Sequence, residues 1–180
     1  MTEASPSAEV PRPQQTPIVV GIGASAGGLE ALEAFFLAAQ PLRHCAFVVV
    51  QHLSADQPSL LPELIQRSTH LVVRAAEDDT AVEPGHVDVA PPGFEVQLRG
   101  GRIVLLPKPE GHGLRLPIDS FFRSLAEDRP GGAVGVILSG MGSDGTLGLR
   151  ALKACAGATF VQSPDTAGFD SMPRSAVQAG

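Results

Sequence analysis

The chain is organised by three short, continuously apolar runs, each closed by small or polar residues. They are Ile18-Val19-Val20-Gly21-Ile22, Ala46-Phe47-Val48-Val49-Val50 and Ala133–Leu138. Runs this short and this rich in β-branched residues are strands, and their lack of polar alternation implies burial on both faces. Helix-spaced stretches lie between them: Leu29–Leu37, Leu60–Gln66, Ile118–Glu127 and Leu147–Ala156. Pro62 fits the second only at or just before its first turn. Leu71–Arg74 and Ala158–Val161 add short strands. This alternation predicts an α/β fold, a doubly wound, mostly parallel sheet flanked by helices. One region departs from it. Around 82–109, Pro84-Gly85, Pro91-Pro92-Gly93 and Gly100-Gly101 punctuate Val87–Ala90, Phe94–Leu98 and Ile103–Leu106. Those are hairpin signals, and they predict a small antiparallel excursion.

A chain of 180 residues suits one domain, expected here over 18–180, behind a Pro-rich polar leader or linker at 1–17 that reads as disordered. The leader has neither a basic nor an apolar segment, so it is not a secretory signal. Lys and Arg number 13 against 19 Asp and Glu, a net charge of −6. That argues against nucleic acid and anionic membranes, which demand a basic face. Trp and Tyr are absent, which disfavours a base-stacking platform. No apolar run approaches the ~18 residues of a membrane span, so no membrane insertion is expected, and the location is read as cytoplasmic. Two cysteines, Cys45 and Cys155, cannot make a disulfide framework and read as buried, reduced thiols. No metal-ligand spacing occurs and no cofactor is expected. The final segment, Met172–Gly180, reads as the opening of a helix, so the domain is expected to be truncated at its C-terminus.

In an open α/β sheet, ligands gather in the turns at the carboxyl ends of the strands. After the first strand stands Gly23-Ala24-Ser25-Ala26-Gly27, the spacing of a nucleophile elbow. Small neighbours let the turn tighten and lift the serine clear of the sheet. The bland alternative is a serine that merely caps the next helix. Gly21-Ile22-Gly23-Ala24-Ser25-Ala26 also matches a dinucleotide fingerprint, which requires an acidic residue about 20 residues further on. The second strand ends Val50-Gln51-His52 and supplies none before Asp56. A histidine stands there instead. His52 alone follows a buried-type strand, whereas His44, His70, His86 and His112 sit in polar or glycine-rich surroundings. A hydroxyl and an imidazole ending neighbouring strands can share a proton. Past the strand Ala133–Leu138, Asp144 lies among Gly140, Gly142 and Gly145, where it would either cap a helix or orient the imidazole.

Six runs in order resemble one family. They are Val20–Gly28, Val50-Gln51-His52-Leu53, Val87–Pro92, Leu116-Pro117-Ile118-Asp119, Gly140–Gly145 and Met172–Ala176. Together they are similar to the catalytic domain of CheB-type chemoreceptor glutamate methylesterases, from about Ile18 to the end. The resemblance implies hydrolysis of γ-glutamyl methyl esters on the cytoplasmic helices of chemoreceptors, with glutamine deamidation in some members. Carried over by motif, Ser25 is the nucleophile, His52 the general base, Asp144 its orienting carboxylate, and the backbone N–H groups of Ala26 and Met141 form the oxyanion hole. Ala26 stands where the family often has Thr or Ser. The details around Leu114–Leu125 and Gly145–Arg150 are most similar to members fused ahead of receptor methyltransferase and sensor domains. The rival reading is a catalytically inactive interaction module of the same fold.

Overall fold

The computed structural model describes residues 16–39, 42–52, 59–108 and 115–180. Most of the expected leader, together with His112, lies outside them. The elements run β1 (Ile18–Ala24), α1 (Gly28–Ala38), β2 (Cys45–Gln51), α2 (Leu61–Gln66), β3 (Val72–Ala75), β4 (His86–Val89), β5 (Phe94–Arg99) and β6 (Arg102–Pro107). They continue with α3 (Pro117–Asp128), β7 (Ala133–Ile137), α4 (Thr146–Ala154), β8 (Ala158–Val161) and α5 (Ser171–Gln178), with a 3-10 turn at Pro164–Thr166. Pro62 and Pro117 occupy the first turns of α2 and α3, where a missing N–H costs nothing.

Six strands form one sheet in the order β3-β4-β2-β1-β7-β8, every neighbour parallel. The chain starts in the middle, works outward through β2 to β3 and β4, then returns to the other side of β1. That reversal makes β1/β7 the switch point, where the loops at the carboxyl ends splay apart and open a crevice.

The strands are buried on both faces, as their unbroken apolar runs require. On one face Leu32, Phe36, Leu61 and Ile65 of α1 and α2 pack on Val20, Ile22, Phe47 and Val49. On the other, Ile118, Phe121, Phe122 and Leu125 of α3 meet Val19, Val48, Val50 and Ile137. The α3 helix lies close on β1 because Gly21 has no side chain: a Cβ there would come within 2.7 Å of the Phe121 ring. Fully buried side chains of this size contribute roughly 1.5–3 kcal/mol each.

The antiparallel excursion is smaller than the sequence suggests. Among the described residues β5 and β6 pair antiparallel, from Phe94 opposite Pro107 to Arg99 opposite Arg102, and Ala81 adds a single antiparallel bridge to Arg102. The run Val87–Ala90, expected within that excursion, instead falls largely in β4, a parallel strand of the main sheet between β2 and β3. Asp88 is the polar residue of that run. In the fold it is wholly buried, its carboxylate taken up by Arg74 Nε at 2.6 Å. The two cysteines are free, Cys45 buried as expected but Cys155 only half-buried. Burial pushes the Cys45 thiol pKa up, so it stays protonated. His44 and His70 are exposed, and half-buried His86 donates from Nδ1 to the Pro84 carbonyl.

Candidate active site

Ser25, His52 and Asp144 follow β1, β2 and β7, three adjacent strands. Parallel strands end on the same edge, so side chains distant in sequence arrive together. Ser25 Oγ lies 3.2 Å from His52 Nδ1, and His52 Nε2 lies 2.7 Å from Asp144 Oδ2. The contacts fix the tautomer. Asp144 can only accept, so Nε2 carries the proton, and Nδ1 is left with a lone pair facing the serine hydroxyl. His52 keeps 34% of its side chain exposed while Asp144 keeps 2%. The imidazole is open to solvent, whereas the carboxylate behind it is shielded.

A carboxylate this buried needs partners. Asp144 Oδ1 accepts the N–H groups of Asp119 at 2.9 Å and Gly145 at 2.8 Å, and Oδ2 accepts that of Ile118 at 3.0 Å. Ile118 and Asp119 belong to the first turn of α3, where N–H groups have no partner within the helix and the dipole favours negative charge. With His52, these donors occupy both oxygens.

The elbow is tied down by Ser139, at the end of β7. Its Oγ donates to the Ala26 carbonyl at 2.8 Å and accepts the Phe169 N–H at 3.0 Å. Its carbonyl takes the Ser25 N–H at 3.0 Å, and its N–H donates to Gln162 Oε1. Gln51 donates to the Ser25 carbonyl. Gly140 then passes against Ser25: a Cβ there would lie 3.0 Å from Ser25 Cβ and 2.3 Å from the Met172 methyl. Met172, fully buried, returns its N–H to the Gly140 carbonyl. With the Ser25 and Gly140 amides already engaged, the N–H groups of Ala26 and Met141 have no hydrogen-bond partner among the described residues.

All five sequence-derived site residues therefore fall in the β1, β2 and β7 turns. Sequence reasoning missed the supports: Ser139, Gln51, Met172 and Asp119. Gln51, Met172 and Asp119 sit in motifs that carried the resemblance, the one signal that pointed to them. Among the described residues no cluster of three or more His, Cys, Asp or Glu side chains could hold a metal ion. Nor is any helix there long and apolar enough to cross a membrane.

The sequence signature of the family described as CheB methylesterase matches residues 20–180. A protein of Maricaulis maris named protein-glutamate methylesterase/protein-glutamine glutaminase is 33% identical over 94% of this chain and 43% of its own length. One of the same name, numbered 4, from Burkholderia thailandensis is 34% identical over 100% of this chain and 53% of its own. The chain thus spans about half the length of the curated relatives it matches. The crystal structure of the Thermotoga maritima CheB methylesterase catalytic domain superposes with a TM-score of 0.80 at 29% identity, covering 91% of this chain and 88% of that one.

Proposed function

The chain belongs to the CheB methylesterase family, and from that premise we propose that it is a serine hydrolase for methyl esters of glutamate side chains on the cytoplasmic helices of chemoreceptors. Glutamine deamidation is the parallel reaction on an amide. One observation carries the reading: the unbroken hydrogen-bonded series from Ser25 Oγ through His52 to Asp144.

Ser25 attacks the ester carbonyl while His52 Nδ1 takes its proton. The imidazolium so formed is stabilised by Asp144, whose carboxylate is held by backbone amides at a helix N-terminus. Attack moves negative charge onto the carbonyl oxygen, and the Ala26 and Met141 N–H groups are the donors for it. His52 then returns the proton to the leaving oxygen, methanol departs, and water activated by the same imidazole cleaves the acyl-enzyme. The open setting of His52 suits an ester presented on a protein surface. The same reading places the chain in the cytoplasm, alongside receptors and, in a fused polypeptide, methyltransferase and sensor domains.

The test is methanol release from methylated receptor, together with trapping by a serine-directed phosphonate and mass mapping of the adduct. Ser25→Ala should lower the rate by about 10³-fold or more and abolish the adduct. Receptor binding without methanol release or trapping would sink the hydrolase and leave the inactive interaction module.

A further inference from the structure

Three carboxylates are buried among the described residues: Asp88, Asp119 and Asp144. Asp88 is matched by Arg74 and Asp144 by His52. Asp119, only 3% exposed, has no role in the steps above. Its Oδ1 accepts the Gly148 N–H at 2.6 Å, and the Leu147 N–H adds a weaker contribution. Both amides lie in the first turn of α4, whose own N-cap residue, Gly145, offers no side-chain cap. The first turn of α3 is in the mirror position: its N-cap, Leu116, offers none either, and Asp144, just before α4, accepts from Ile118 and Asp119. Each helix therefore caps the other. It is a capping box divided between two helices, with both positive helix ends turned toward a pair of carboxylates.

Resting on the hydrolase reading, we propose that Asp119 is a positioning residue: it clamps the first turn of α4 to α3, holds Asp144 against His52, and places a second negative charge behind the imidazole. Burial pushes the Asp119 carboxyl up and the Gly148 amide pulls it down; Asp144 raises it and Arg123 lowers it. Asp144 and Arg123 are the charged groups that act on it, and α4 presents backbone amides. Around His52, the described partners are Asp144 and the Ser25 hydroxyl.

Asp119→Asn keeps the shape and one acceptor oxygen but removes the charge. It should lower kcat about tenfold with KM unchanged, since small misplacements within a catalytic unit are costly. With one negative charge fewer, the imidazolium is less stabilised, so the His52 ring, followed by NMR in the intact chain, should deprotonate at lower pH than in wild type. Arg123→Gln, on an exposed part of α3, removes a cation and should move the same titration to higher pH; it serves alone if Asp119→Asn does not fold. A loss of kcat with the His52 titration unmoved would reduce Asp119 to a helix clamp and overturn the proposal, as would full activity. The titration needs no turnover. A wild-type chain that hydrolyses no ester would therefore sink the hydrolase reading while leaving this test intact.

Discussion

Asp88 and Asp144 are both buried at the sheet, yet they are held in opposite ways. Asp88 on β4 faces Arg74 on β3 in direct register, Nε to Oδ1 at 2.6 Å, and its Oδ2 is buried without a partner. Among the described residues Asp144 meets no guanidinium; three amides and one imidazole share its two oxygens. A guanidinium neutralises a carboxylate permanently, because it does not give up its proton. Amides hold the charge without cancelling it, and they cannot titrate either. The one partner of Asp144 able to gain or lose a proton is His52. The same side chain thus serves as a fixed strut at one place and, in the proposed mechanism, as the counter-charge of a proton shuttle at another.

The contrast can be broken first at Asp144. Asp144→Asn should cut kcat by about 10³–10⁴-fold, because an amide can no longer dictate the imidazole tautomer. The folded chain should persist by circular dichroism, and a variant as active as wild type would erase the distinction. Gly140→Ala comes next. Its Cβ must displace Met172 or Ser25, and a shift of the nucleophile by a fraction of an ångström should cost up to about 10²-fold in kcat/KM, measured with a small ester. Asp88→Ala should do the reverse: a stability loss of about 1–2 kcal/mol from denaturant titration, below the cost of breaking a fully buried pair because Arg74 is 33% exposed, with kcat unchanged.

The smallest effect is a pH slope. Burial is the largest influence on Asp88 and raises its pKa, while the Arg74 bond opposes it; that bond in turn raises Arg74. The guanidinium stays charged throughout, so only the carboxyl titrates. For an acid whose folded pKa is raised, stability is complete below the ordinary Asp range and declines as pH climbs through the elevated value. Relative to wild type, Asp88→Asn should remove that decline, seen as a flatter plot of Tm against pH in the acidic range.

The same contrast explains what could be read from the sequence. Ser25, His52 and Asp144 were legible because each combines a reactive side chain with a strand end and a turn, all local features. The parallel sheet was legible from unbroken apolar runs. The place of β4 was not, because Pro-Gly punctuation marks a crossover as readily as a hairpin, and because the mate of Asp88 lies on another strand. Ser139, and Asp119 beyond its place in a motif, were invisible for a related reason. They act on backbone amides and carbonyls of distant segments, and such partners leave no trace in residue type.

The reactive series links positions 27 and 92 residues apart, through strands whose alignment needs nearly the whole polypeptide in place. A piece lacking β1, β2 or β7 therefore lacks part of that series. If the chain turns over ester as proposed, the loss of cleavage on heating should therefore coincide with global melting and not precede it.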